Sequence, residues 1–182
     1  MAPDWMGRKS RVIAKNAMHN SKPMIREKLE KIVVNVGIGR LVQQSNFQEK
    51  ILPEIIGELT LITGQKPSPR GAKKSIAGFK TRTGDIVGLQ VTLRRKRMND
   101  FLKRLTEISL PRVKDFRGIS LRNVDGGGNL NIGFKEQYVF PEIKAETSKV
   151  HFGLQVTFVP ILKNREKAID LYRRLGVPLK KS

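Results

Sequence analysis

The feature that most constrains this chain is a strict two-residue alternation over 86–94. There Val87, Leu89, Val91 and Leu93 interleave with Gly88, Gln90, Thr92 and Arg94. Successive side chains of an extended strand point to opposite faces, so this segment predicts a sheet with one apolar face and one polar face. Residues 32–36 repeat the pattern: Ile32, Val34 and Val36 share one face, and Val33 and Asn35 the other. That run is β-branched and ends at Gly37-Ile38-Gly39, which reads as a tight glycine turn. A dinucleotide fingerprint would need a third glycine at 42, where the residue is Val42. Further strands are expected over 130–139 and 152–159, the latter with Leu154, Val156 and Phe158 on one side.

Other segments change period. Phe47, Ile51, Leu52, Ile55, Ile56, Leu59 and Ile62 recur at helical spacing and predict a helix over 46–63. Ser45 and Gln48 suggest a capping box, Gly64 a left-handed stop, and Pro53 a kink. Met98, Phe101, Leu102, Leu105 and Ile108 mark a second helix, expected to end at Pro111. A third is expected from Asn164, a good N-cap, to Leu175, with Gly176 and Pro178 beyond. The run Asp125-Gly126-Gly127-Gly128-Asn129 reads as a flexible turn. Strands and helices mix without a regular βαβ count. The fold class is therefore α+β: a two-layer sandwich of an antiparallel sheet with helices on one face and the other face open. Residues 1–30 read as a basic arm and 31–182 as a single domain.

Charge then narrows the function. Among 182 residues, 36 Lys and Arg face 16 Asp and Glu, a net charge of +20. An excess of that size points to nucleic acid or to an anionic surface. No basic amphipathic helix with large apolar residues opposite its charges is evident, so nucleic acid leads and no membrane partner is expected. The chain has no cysteine and two distant histidines, His19 and His151, so no metal site, cofactor or cysteine nucleophile is expected. Glu136, Glu142 and Glu146 sit among Lys135, Lys144 and Lys149 and read as surface ion pairs rather than catalytic acids. Nothing argues for an enzyme, and a cytoplasmic location is expected.

The stretch 65–84 has neither period. It carries Lys66, Arg70, Lys73, Lys74, Lys80 and Arg82, and no acid. So long a basic loop implies a functional reason, and Phe79 within it is suited equally to stacking on a base or to anchoring the loop. Asn35 and Thr92 on the polar strand faces, Gln65 at the mouth of the loop, and the rim Arg94, Arg95 and Arg97 suit the backbone and 2′-hydroxyls of a folded RNA. Aromatic stacking residues, which single-strand readers carry on their strands, are missing from both segments.

Six ordered blocks complete the reading: 34–39 (VNVGIG), 63–67 (TGQKP), 73–80 (KKSIAGFK), 91–94 (VTLR), 110–118 (LPRVKDFRG) and 136–143 (EQYVFPEI). Together they resemble the bacterial-type family of large-subunit ribosomal protein five, over roughly 31–178. The resemblance implies a structural component of the large ribosomal subunit that attaches 5S rRNA to the central protuberance. It implies contacts to 5S rRNA at Asn35, Gln65 and Thr92, and by extension Val36, Gly37, Gly39, Lys66, Arg94, Arg95 and Arg97. It implies a loop touching P-site tRNA through Lys73, Lys74, Ser75, Ile76, Ala77, Gly78, Phe79 and Lys80, flanked by Arg70 and Arg82. A bridge to a small-subunit head protein is implied at Arg112, Lys114, Asp115 and Arg117. Large-subunit rRNA and neighbouring large-subunit proteins are further implied partners. The chain departs from the family at its basic arm, at Pro53 and at 68–71, where Pro69 and Gly71, with Pro67 just before, predict that a short strand is shortened or lost. A free basic RNA chaperone or regulator using the same surface is the alternative.

Overall fold

The structure, a computed structural model, describes residues 29–79, 81–146 and 148–180. The expected basic arm lies outside these residues except for Leu29 and Glu30, which open the first strand. Among the described residues five strands form one antiparallel sheet: β1 (Leu29–Gly37), β2 (Ser68–Gly71), β3 (Ile86–Leu93), β4 (Leu130–Phe134) and β5 (Leu154–Pro160), in the order β2-β3-β1-β5-β4. Three helices, α1 (Leu52–Thr63), α2 (Arg95–Arg104) and α3 (Arg165–Arg174), contribute their apolar faces to a single core.

Register explains why only one sheet face is dry. Val34 lies opposite Val91 and Val156, Ile32 opposite Leu93 and Phe158, and Ile132 opposite Val156. All of these are buried, together with Leu59 and Ile62 of α1, Phe101 and Leu102 of α2, and Tyr172 of α3. Each such side chain contributes about 1.5–3 kcal/mol through removal from water. The expected period-two faces of β1, β3 and β5 are those observed, although Val87 is only half-buried.

The two prolines act differently from expectation. A single π turn, Phe47–Ile51, precedes α1, and the Leu52 amide bonds the Phe47 carbonyl. A second, Leu105–Ser109, follows α2, and the Leu110 amide bonds the Leu105 carbonyl. Each π turn carries one extra residue, so the proline ring that follows does not meet the carbonyl four residues back. Pro53 and Pro111 both fall in the first turn of the next α segment, where no N–H partner is required. Pro111 therefore does not end the second helix, which runs on to Arg112. Ile108, expected on the apolar stripe, is exposed because the π turn rotates it outward. The capping box does not form: the N-cap is Asn46 in the left-handed region (φ 62°), without a side-chain bond. Gly64 and Asn164 cap as expected, the latter accepting the Lys167 amide at 3.1 Å.

Three loops also differ. β4 stops at Phe134, and 137–139 is a 3₁₀ turn whose Gln137 is fully buried and bonds the Val150 carbonyl at 2.6 Å. The strand at 68–71 does form: β2 occupies the sheet edge, where a proline costs no ladder bond on its solvent side. The run 125–129 is pinned rather than flexible. Asp125 accepts the Asn129 amide and side chain, both at 2.8 Å, and the Tyr172 hydroxyl donates to the Gly128 carbonyl at 2.7 Å.

Candidate nucleic-acid interface

Among the described residues the sheet face opposite the core carries no helix. Its rows follow from register: Asn131, Thr157, Val33 and Thr92 lie side by side, and Gly133, Gln155, Asn35, Gln90 and Ser68 form the next row. Gly37, Gly88 and Arg70 form a third. No acid occurs among these twelve residues, and the glycines keep parts of the face flat. The polar groups are partly fixed by one another: Asn131 Oδ1 accepts from Thr157 Oγ1 at 2.7 Å and from Gln155 Nε2 at 3.2 Å. Arg70 Nε donates to Gln90 Oε1 at 2.8 Å. Such a surface offers donors and acceptors at fixed spacing, which suits the sugar–phosphate edge of a folded RNA better than unstacked bases.

Cations crowd one end of this face. Arg94, Arg95, Lys96 and Arg97 are all exposed at the start of α2, whose first turn has no acid and no side-chain cap. Positive charge at a helix N-terminus is unfavourable by about 0.3–1 kcal/mol per group. Arg95 also sits in the left-handed region (φ 53°), at a cost of about 1–2 kcal/mol. A local sequence so opposed to its own fold is expected where an anion restores the balance. Arg97 NH1 donates to Gln65 Oε1 at 3.1 Å, so these two expected RNA contacts meet across 32 positions. Arg94 lies 3.4 Å from Glu30, whose carboxyl is held below its usual range by Lys31 first and by Arg94 second.

The basic loop is a hairpin extending β2 and β3. Ala72 N–H bonds the Asp85 carbonyl at 2.8 Å, Gly84 N–H the Ala72 carbonyl at 3.0 Å, and Ile76 and Thr81 pair further out. Thr83 N–H bonds Ser75 Oγ at 3.0 Å, and Asp85 Oδ2 accepts the Arg82 amide at 2.7 Å. Lys73, Lys74, Ser75, Ala77, Gly78 and Arg82 are exposed, as is Ile76. Lys80 and the side chain of Phe79 lie outside the described residues. Arg70 joins the sheet-face residues through Gln90 rather than the hairpin tip. Val36 is a core residue, 2% exposed, while Gly37, Gly39 and Lys66 reach the surface.

Arg112, Lys114, Asp115 and Arg117 are exposed on a bent segment with Asp115 (φ 55°) and Gly118 (φ 92°) in the left-handed region. Behind it a cavity of about 780 Å³ is floored by Val113, Phe116, Ile132 and Phe134. The acids read as surface pairs behave differently in one case. Glu142 pairs with Arg104 across the fold, and Arg104 also donates to the Ile62 carbonyl at 3.0 Å. Among the described residues no cluster of metal-ligating side chains occurs, and no helix is long and apolar enough to cross a membrane. Gln155, Thr157 and Asn131 were not expected as site residues, although the alternation with Leu154, Val156, Phe158, Leu130 and Ile132 carries the signal.

Two family models cover most of the chain: "Ribosomal protein L5" matches 22–82, and the model for the C-terminus of the same ribosomal protein family matches 86–179. The large ribosomal subunit protein uL5 of Heliobacterium modesticaldum is 48% identical over 153 residues, covering 84% of this chain and 83% of the relative. The chain belongs to the ribosomal protein L5 family. The uL5 protein of Desulforamulus reducens is 46% identical over 154 residues, with 85% and 83% covered. That of Geotalea daltonii is 48% identical over 153 residues, with 84% and 83% covered. The first matched segment of this L5-family chain holds β1, α1 and β2, and the second holds β3, α2, β4, β5 and α3.

Proposed function

We propose that this chain attaches 5S rRNA to the large ribosomal subunit through the open face of its sheet. As an L5-family protein it is a structural, non-enzymatic constituent of the large subunit, and its place is the cytoplasmic ribosome. The observation that carries the finer reading is the acid-free polar sheet face with the Arg94–Arg97 cations at its end. Asn35, Gln65 and Thr92 supply its hydrogen bonds to RNA, Lys66 and the arginines neutralise phosphates, and the backbone of Gly37 and Gly39 permits close approach. The exposed hairpin, cationic at Lys73, Lys74 and Arg82, reaches P-site tRNA. Arg112, Lys114, Asp115 and Arg117 face a small-subunit head protein, and the remaining basic surface meets large-subunit rRNA and neighbouring proteins. In this proposal the arm is a unit separate from the domain, whose first strand opens at Leu29.

The test uses two variants. Replacing Asn35, Gln65 and Thr92 together by Ala leaves the net charge at +20 and removes interactions worth about 0.5–1.5 kcal/mol each. Affinity for 5S rRNA should fall by at least about tenfold with thermal stability little changed. Unchanged affinity would overturn the reading. Replacing Lys73 and Lys74 by Glu should spare 5S binding and cosedimentation with large subunits while weakening P-site tRNA binding. An equal loss of 5S binding would merge the two sites, and failure of the wild-type chain to sediment with large subunits at moderate salt would favour the free chaperone.

A further inference from the structure

A cleft of about 990 Å³ lies between the hairpin, the turn after β1 and the approach to β5. That is the upper end of the range for small-molecule sites. Its walls are largely apolar: Leu41 and Val87 are half-buried, Phe152 is buried, and Ile76 lines it with 50% of its surface in water. Arg40, Lys73 and Lys74 stand exposed around its mouth, and no acid is among the lining residues. His151 completes one wall. Its ring is held edge-on to Tyr138 at a centroid distance of 5.4 Å, with Tyr138 Oη and His151 Nδ1 2.8 Å apart.

Apolar walls, a fixed ring and three exposed cations at the rim, none ion-paired among the described residues, select a flat, apolar-faced group that carries a negative charge. We propose that this cleft takes one unpaired nucleotide of an RNA partner, with its base against Ile76, Val87 and the His151 ring and its phosphate on Arg40, Lys73 and Lys74. A base within a duplex has both faces covered by its neighbours and cannot enter, whereas a base splayed from a loop or bulge presents a face to be stacked. Covering Ile76 also removes the exposed apolar surface that the free chain leaves in water. The inference rests on the reading of this chain as an RNA-binding protein, and it assigns a single-nucleotide site beside the sheet face, bordered by Gly37 and Gly39 and sharing Lys73 and Lys74 with the hairpin.

The experiment follows the methyl resonances of Ile76 and Val87 in the full chain during titration with AMP, GMP, CMP and UMP. Inorganic phosphate, ribose 5-phosphate and the tripeptide Glu-Phe-Glu serve as the other arms. Nucleotides should shift both methyls saturably, while the two phosphates that lack a base shift only the amides of Lys73 and Lys74. Ala72 lines the cleft and bears on no RNA contact named above. Ala72→Phe should raise the nucleotide Kd by about tenfold or more and leave 5S rRNA affinity unchanged. Ile76→Ala, at an exposed position, should weaken nucleotide binding too and serves if the larger side chain disturbs folding. Methyls that respond no more to nucleotides than to inorganic phosphate would overturn the proposal. So would a response confined to the peptide, which would give the cleft to a protein. Loss of the sheet-face reading would instead appear as 5S affinity insensitive to Asn35, Gln65 and Thr92, with the nucleotide titration intact.

Discussion

Two glycine-bearing connections, the hairpin over 72–85 and the turn over 125–129, both read as loops in the sequence and have opposite surroundings. The hairpin is held by its own ladder and stands in water, with Lys73, Lys74, Ile76 and Gly78 exposed. The turn is shorter and richer in glycine, yet Gly128 is buried against α3 and its carbonyl takes the Tyr172 hydroxyl. Composition describes what a backbone is able to do, while neighbours from distant sequence decide what it does. The hairpin keeps its freedom for a partner, and the turn gives up its freedom in closing the core between β5 and α3.

Local opening should show the largest contrast. The hairpin has little apolar cover, so its opening needs far less than global unfolding, whereas the turn opens only with the core around it. Brief trypsin treatment of the free protein should cut at Lys73, Lys74 or Arg82 faster than at Arg122, which precedes the turn, by about an order of magnitude or more. Peptide mapping of the first products checks this. Early cleavage at Arg122 with the hairpin intact would reverse the comparison. In large subunits carrying P-site tRNA the hairpin sites should be protected.

Glycine substitution gives the next effect. A Cβ on Gly128 would lie 2.9 Å from the Ala168 Cβ and 3.1 Å from the Asn164 carbonyl oxygen, at φ 84°. Gly128→Ala should therefore cost about 2–4 kcal/mol, combining left-handed strain with overpacking. Gly78 has ordinary φ and open space around its Cβ position, so Gly78→Ala should change stability by less than about 0.5 kcal/mol. Urea unfolding of the two variants measures the difference. Comparable losses would show that the hairpin tip is packed.

Much of this architecture was legible in the sequence, and the misses have two causes. The alternation in β1, β3 and β5 displays which side chains are dry because its signal lies within the strand. Asn35 and Thr92 were legible as open-face residues for the same reason, and Gln155 and Thr157 obey the same rule. The meeting of Gln65 with Arg97, the pairing of Ser68 with Gln90, and the grip of Tyr172 on Gly128 bring together residues 20 or more positions apart. No local period encodes such pairings. Pro53 and Pro111 mislead in another way: a one-residue π insertion, invisible in the hydrophobic pattern, converts each from a helix breaker into a first-turn proline.

Tyr172 sharpens the contrast at lower energy. Burial pushes its phenol well above the ordinary range, so the group stays protonated and donates to the Gly128 and Phe158 carbonyls, at 2.7 Å and 3.3 Å. Tyr172→Phe keeps the ring that packs edge-on against Phe158 and removes only the hydroxyl. A loss of about 1–2 kcal/mol is expected in urea unfolding, with exchange of the Gly128 amide accelerated and that of the hairpin amides unchanged. Equal acceleration in both regions would mean that the two connections open as one unit.

The smallest effect tests the charge within the turn. Asp125 has its carboxyl held below the ordinary aspartate range, first by the Asn129 side chain and then by the backbone amides of Asn129, Gly127 and Gly128, with burial opposing. A carboxylate with a depressed folded pKa binds fewer protons in the native state. Its contribution is therefore complete above the unfolded value, near pH 4, and disappears as pH falls through the lower folded value. Asp125→Asn keeps the shape of the side chain and removes the charge. Because the group is exposed, solvent screening keeps the difference well under about 1 kcal/mol. The melting temperature of the wild type should exceed that of the variant slightly at pH 7, and the gap should close on acidification below about pH 4. A gap that persists at pH 2 would show that the turn depends on geometry alone, and a gap that widens in acid would contradict the hydrogen bonds that hold Asp125 ionised.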